Sequence, residues 1–272
     1  MKLALISDIH ANYPALKASL DVLDDKKIDQ WLCLGDLVGY GPFPEQCIEE
    51  IRTRKIPCLL GNHDASMVGK MPFEVFKEPN RSLLMQTREL LDQDSINFFQ
   101  KMPLTLDSET INNNAELKSD EDENEDKDKG RQHLGNKPIQ WLAAHASPIE
   151  PYRWNYLDSA IKCRKVLKEF PKYDALFVGH THRPAFLPEK IGTFGMKKGQ
   201  RYMFNPGSIG QPRDNDERSS VMVIDFHNYE YENIRIEYDV DETLKGYKRF
   251  GISQKKGRRL LKLKKKSSFW WF

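Results

Sequence analysis

Cysteine is scarce and scattered in this chain of 272 residues. Cys33, Cys47, Cys58 and Cys163 lie far apart and form no C-x-x-C pair. That spacing argues against a zinc ribbon or a disulfide framework and fits a reducing cytosol. Long apolar runs are missing too: none approaches the roughly 18 residues that mark a transmembrane helix. The start is no secretory leader, because Leu3–Ile6 is a short apolar stretch followed at once by Asp8 and His10. A cytoplasmic protein is expected. There is no internal repeat. Net charge is nearly absent, with 42 Lys+Arg against 40 Asp+Glu.

That balance hides two opposed blocks. Residues 119–128 hold seven acids and one base, and residues 255–266 hold eight bases and no acid. Apolar residues at 39% and aromatics at 11% are enough for a globular core, which excludes wholesale disorder. Residues 112–137 are rich in Asn, Asp, Glu and Lys. They bury too little apolar surface to offset ordering entropy, and are read as a mobile insertion. The expected organisation is one domain over 1–252 and a basic, aromatic-ended tail over 253–272.

The first sixty residues alternate strand and helix. Leu3–Ser7, Trp31–Leu34 and Ile56–Leu60 are short apolar runs, each ending in a polar cluster, and helical patterns fill Pro14–Leu23 and Pro44–Ile51. Such alternation implies a parallel sheet with packed helices, whose ligands bind beyond the C-terminal strand ends. Residues 80–101 read as one helix. Leu104–Leu106 and Trp141–Ala144 read as a hairpin flanking the insertion. Residues 158–170 read as a helix, and Ala175–Val178, Arg201–Phe204, Val221–Phe226 and Ile234–Tyr238 as strands. Asp241–Phe250 closes the series as a helix.

Five polar clusters follow these runs: Asp8-Ile9-His10, Gly35-Asp36, Gly61-Asn62-His63-Asp64, His145 and Gly179-His180-Thr181-His182. One histidine or aspartate at a strand end is ordinary. The whole series, in this order, points to a site for two divalent cations. Imidazole and carboxylate suit borderline metals, and one carboxylate bridges cations about 3.5–4 Å apart. The D-x-H and H-x-H spacings suit loops or extended segments that put both ligands on one side. Glycines before Asp36, Asn62 and His180 permit sharp turns.

The series D-x-H, G-D, G-N-H-D, H and G-H-x-H resembles the calcineurin-like metallophosphoesterase superfamily. The stretches Gly35–Pro42 and Asn205–Arg213 resemble its small bacterial and archaeal branch of phosphodiesterase or diadenosine-tetraphosphatase-like proteins. The resemblance covers about residues 1–240. It implies a four-layer α/β/β/α sandwich with two mixed sheets and a dinuclear metal site at the sheet edge. It also implies roles: Asp8, His10 and His182 on one metal, Asn62, His145 and His180 on the other, and Asp36 bridging. His63 would assist the leaving group, and Asp64 either orients it or caps a helix. The implied cofactors are two divalent ions among Mn, Fe, Zn, Ni and Co. The implied reaction is hydrolysis of a phosphodiester or nucleotide polyphosphate by a metal-activated water.

The alternatives are a phosphoprotein or small-molecule phosphomonoester phosphatase, or an inactive interaction module of the same fold. The Asp-Arg pair usual after the bridging aspartate in phosphoprotein phosphatases is missing here, since Gly39 and Tyr40 follow Val38. Tyr40 and Arg213 are candidate substrate contacts, as is the strip Tyr152-Arg153-Trp154. The Asn205–Arg213 loop is read chiefly as a support for the H-x-H loop. For residues 255–272, which end in Phe269-Trp270-Trp271-Phe272, the candidates are an anionic membrane surface, a nucleic-acid backbone, an acidic partner, a solvated tail, or a tail that packs its aromatics on the protein's own surface.

Overall fold

The structure, a computed structural model, describes residues 1–111 and 138–263. The acidic insertion at 112–137 and the aromatic end of the tail therefore lie outside the described residues.

Two sheets face each other. The first has the order β2 (Gln30–Cys33), β1 (Lys2–Ile6), β8 (Ser219–Asp225), β9 (Glu230–Ile236). The second has the order β3 (Thr105–Asp107), β4 (Trp141–Ala144), β5 (Ala175–Val178), β7 (Tyr202–Pro206), β6 (Pro184–Pro188). Both are mixed: β1 pairs β2 in parallel and β8 antiparallel, while β4, β5 and β7 run parallel between antiparallel edges.

Side-chain alternation along each strand builds the layers. Leu3 and Leu5 of β1, Leu32 of β2, and Met222 and Ile224 of β8 point into the space between the sheets. There they meet Trp141, Ala143, Ala175, Phe177, Tyr202 and Phe204 of the second sheet. The intervening Ala4 and Ile6 face outward onto α1 (Tyr13–Asp24) and α2 (Pro44–Thr53), through Leu16, Leu20, Leu23, Ile48 and Ile51. Leu142, Leu176, Val178 and Met203 face the other way, onto Val166 and Leu167 of α6 (Ala160–Glu169). The result is the expected four-layer sandwich.

Four expectations need revision. Ile56–Leu60 is buried but is not a strand: it touches the first sheet through one parallel bridge, Cys33 to Cys58. The helix expected over 80–101 is two, α4 (Asn80–Leu90) and α5 (Gln93–Lys101). Leu91 is extended, and Asp92 starts the second helix by accepting from the Ser95 amide at 2.8 Å. Strand β6 was not expected, since prolines at both ends disguise an edge strand. Residues 253–263, read as the start of a tail, fold against the body. After α7 (Val240–Gly246), helix α8 (Gln254–Leu260) buries Leu260 and Leu261 among Leu83, Leu244, Tyr247 and Phe250.

Candidate metal centre

The ends of β1, β2, β4 and β5, with the loop into α3 (Asn62–Met67), converge at one rim of the sandwich. Asp8, His10, Asp36, Asn62, His63, His145, His180 and His182 all meet there, and all are buried. Of the loop and extended alternatives for the D-x-H and H-x-H segments, both are loops. Asp8, His10, Asp36, Tyr40, His180 and His182 all have φ between 50° and 65°, the left-handed region that non-glycine residues rarely adopt. Backbone strain of this kind gathers at functional sites, held in place by the surrounding structure.

Here the holding bonds can be named. The amides of Asp8, His10 and Ala11 donate to the carbonyls of Gly35, Asp36 and Leu37, tying the first two clusters together. The Gly61 backbone passes so close to Asp36 that a Cβ there would lie 2.1 Å from Asp36 Oδ1, so that glycine serves close approach rather than a turn. Ser208 Oγ donates to the Asp8 carbonyl at 2.8 Å, and Asn205 Nδ2 to the Gly179 carbonyl at 2.9 Å. The Asn205–Arg213 loop thus braces the D-x-H and G-H-x-H loops, as read from its composition.

Three overlapping groups of ligand atoms lie within 4.8 Å of one another: Asp8, His10 and His182; His10, Asp36 and His63; Asp36, His145 and His180. Asp36 Oδ2 is 3.3 Å from His145 Nε2 and 3.8 Å from His10 Nε2, so it stands between the two outer groups. Asp8 Oδ1 is 3.2 Å from His182 Nε2.

The imidazole orientations provide a test for cations. The Nδ1 atoms of His10, His145 and His182 lie 3.0, 2.8 and 2.7 Å from the carbonyls of Val38, Leu34 and Gln211. A carbonyl only accepts, so those bonds assign a ring proton to Nδ1 and turn Nε2 inward. Metal-ligating histidines are fixed in this way by outer partners. His10 Nε2 and His182 Nε2 then face each other at 3.1 Å, and His145 Nε2 faces His180 Nδ1 at 3.2 Å. Asp8 Oδ1 and Asn62 Oδ1 are buried without a hydrogen-bond partner among the described residues. Opposed ring nitrogens and orphaned oxygens are a donor set that fits divalent cations, and a cation at His145 Nε2 would displace the proton that Asp36 otherwise holds there.

Protonation follows from burial and neighbours. Burial holds His10 and His182 well below the usual imidazole range and His180 at about 3. These rings are neutral, the form that binds metal. Burial pushes Asp8 up to about 6. For Asp36 burial works in the same direction, but His145, His63 and His10 outweigh it and hold the carboxyl well below its usual range. Burial opposes charge on His145, and Asp36 overcomes it, raising the ring to about 10.

His63 lines the cleft beside this group. Its ring packs against Tyr40, His10 and Phe76, with centroids 4.7–4.8 Å apart, and its Nδ1 is buried without a partner among the described residues. Gly39, at φ +89°, leaves room for it: a Cβ there would sit 2.1 Å from His63 Nδ1. Asp64 does not orient the imidazole. Its carboxylate accepts instead from the amides of Leu37, Val38 and Gly61, at 2.8, 3.2 and 3.3 Å. It closes the start of α3 and fastens it to the loop after Asp36. Asp64 is not the N-cap that the alternative reading expected: Gly61 holds that place, and Asp64, at the third helical position, accepts from the Gly61 amide.

A cleft of about 960 Å³ opens over Asp36, Asn62, His63, His180 and His182. Tyr40 and Arg213 both line it, as expected of substrate contacts, and Arg213 lies over the Tyr40 ring at 5.8 Å. Arg153 and Trp154 line it too, whereas Tyr152 does not. The sequence reading missed Tyr156, whose ring lies 4.1 Å from that of His180, and missed Lys77, Lys256, Arg259 and Lys262 in the walls.

A family model described as calcineurin-like phosphoesterase matches residues 1–184. The chain belongs to the calcineurin-like phosphoesterase family. An uncharacterised protein of Methanocaldococcus jannaschii is 29% identical over 256 residues, covering 89% of each chain. A solved metallophosphoesterase of Sphaerobacter thermophilus is 27% identical, covers 96% of this chain and 98% of its own, and superposes with a TM-score of 0.69. A hypothetical protein of Pyrococcus horikoshii, 19% identical with 96% of both chains covered, shares the fold at a TM-score of 0.72. Family membership and the ligand cluster make this phosphoesterase a metal-dependent hydrolase of phosphate esters.

Proposed function

We propose that this phosphoesterase holds two divalent cations and hydrolyses a phosphodiester or a nucleotide polyphosphate. The observation that carries this reading is the pair of opposed imidazole contacts on either side of Asp36. Asp8, His10 and His182 would hold one ion, Asn62, His145 and His180 the other, and Asp36 both. Mn, Fe, Zn, Ni and Co all suit this nitrogen and oxygen set. When bound, such ions activate water and neutralise charge on the phosphoryl group.

The chain's own residues supply the rest. His63 sets a ring N–H against the leaving oxygen and stabilises the charge that develops there, a general acid's position. Arg213 offers a planar guanidinium to a phosphate oxygen and is held for that task by Gln211 Oε1, which accepts from its Nε at 3.0 Å and Nη2 at 2.7 Å. Tyr40 fills the space between Arg213 and His63 and keeps water out.

The test is a substrate screen of the metal-loaded enzyme across phosphomonoesters, phosphodiesters, cyclic nucleotides, dinucleoside polyphosphates and phosphopeptides. The proposal expects kcat/KM to be highest for a diester or a polyphosphate. A preference for phosphopeptides or simple monoesters would replace it with a phosphatase reading.

A further inference from the structure

The basic run at the end of the sequence supplies part of the cleft wall. Six cationic side chains line the cleft, Lys77, Arg153, Arg213, Lys256, Arg259 and Lys262, against two carboxylates. Neither carboxylate is free to balance them. Asp36 belongs to the imidazole cluster, and Glu78 accepts from Arg81 Nε at 2.8 Å and Ser82 Oγ at 2.7 Å. Arg153 pairs with Glu150, and Arg213 is bound to Gln211. Lys77, Lys256, Arg259 and Lys262 make no side-chain hydrogen bond or ion pair among the described residues. Four unpaired cations around one concave mouth focus a positive field on it.

The position of the three C-terminal cations is built, not incidental. Gln211, whose carbonyl accepts from the metal-site residue His182, donates its side-chain Nε2 to the Leu260 carbonyl. Helix α8 rests on Tyr247 through Gly257, where a Cβ would lie 2.6 Å from the ring. The Tyr247 hydroxyl in turn donates to the Tyr40 carbonyl at 2.5 Å. Lys262 follows the helix end with φ +59°, a place where glycine is the usual occupant and a lysine carries a conformational cost. The helix is therefore fastened to both the loop after Asp36 and the loop beside His182, with its cations toward the cleft.

We infer that Lys256, Arg259 and Lys262 form a subsite for a second, non-reacting phosphate, so the substrates this enzyme prefers carry at least two phosphates in series. This rests on the proposed phosphoesterase reading and narrows it toward the polyphosphate side. The cleft volume lies at the upper end of the range for small-molecule sites, far more than one phosphate fills.

The experiment is calorimetric titration of the Mn²⁺-loaded protein with two probes that differ by one phosphate, adenosine 5′-monophosphate and adenosine 5′-(α,β-methylene)diphosphate, each checked for released phosphate or adenosine over the titration. Wild type should bind the diphosphate analogue at least about tenfold more tightly. The triple variant K256A/R259A/K262A should lose that difference and keep its affinity for the monophosphate. It should also keep kcat for bis(p-nitrophenyl) phosphate, which has a single phosphate, within about twofold, because the field at the mouth bears on capture and not on turnover. These side chains are exposed, so folding is spared. Equal affinities for the two probes in wild type, an unchanged tenfold difference in the variant, or an equal loss for both probes would each overturn the subsite. Absence of probe binding together with absence of bis(p-nitrophenyl) phosphate hydrolysis would instead remove the phosphoesterase reading beneath it.

Discussion

The floor and the wall of the cleft are made in opposite ways. The floor consists of buried imidazoles and carboxylates, several on strained backbone, with the rings of His10, His145 and His182 held by bonds to neighbouring main chain. The wall formed by α8 consists of exposed, flexible cations whose backbone alone is fixed. A floor of this kind must position atoms closely, because ligation and leaving-group assistance fail with small displacements. A wall of this kind acts through field and reach, so it tolerates mobility. Metal-site residues and the proposed phosphate subsite thus fall in different parts of the sequence, residues 8–182 and residues 256–262.

The largest effect should come from the floor. Asp36→Asn is expected to lower kcat on bis(p-nitrophenyl) phosphate by about 10³-fold or more, with metal content reduced, because the carboxylate that stands between the outer groups is lost. Kinetics with elemental analysis of the purified variant checks both. His63→Ala should lower kcat by about 10²–10⁴-fold, the usual range for a general acid, and leave metal content unchanged. A loss of metal in that variant would make His63 a ligand, which its distance from His10 and Asp36 allows.

Gly39→Ala probes the precision of the floor without touching a ligand. The new methyl collides with His63 Nδ1, and a kcat loss of about 10²-fold is expected from the displaced ring. A near wild-type rate would show that the imidazole position is not critical. Leu260→Ala addresses the wall and should have the smallest catalytic effect. Removing a buried leucine costs about 2–5 kcal/mol and loosens α8. A lowered melting temperature with retained metal and nearly normal diester hydrolysis is expected. A large kcat loss would mean that floor and wall are one unit.

The contrast also explains what could be read from residues alone. Trp141–Ala144 and Ala175–Val178 were legible to the residue because strands buried on both faces are short unbroken apolar runs. Ile56–Leu60 has the same signature and is equally buried, but burial does not require a hydrogen-bonded ladder. The clustering of these histidines and aspartates was legible because few arrangements other than a metal site call for so many of them after strands. Asp64 sits in the same motif, yet its partners are backbone amides that no side-chain pattern announces. The wall was hidden for a further reason. Leu260 and Leu261 are two apolar residues in a run of bases, and only their packing on Tyr247 and Phe250 shows that the segment returns to the site.

The central claim is that cations held on both sides of Asp36 carry the reaction. Its most direct test is to strip the protein with chelator, add Mn²⁺ stepwise and follow bis(p-nitrophenyl) phosphate hydrolysis against bound metal. The account predicts no turnover in the stripped protein and a rate that saturates at about two equivalents per chain. Turnover that survives complete metal removal, or none with Mn, Fe, Co, Ni or Zn, would contradict it.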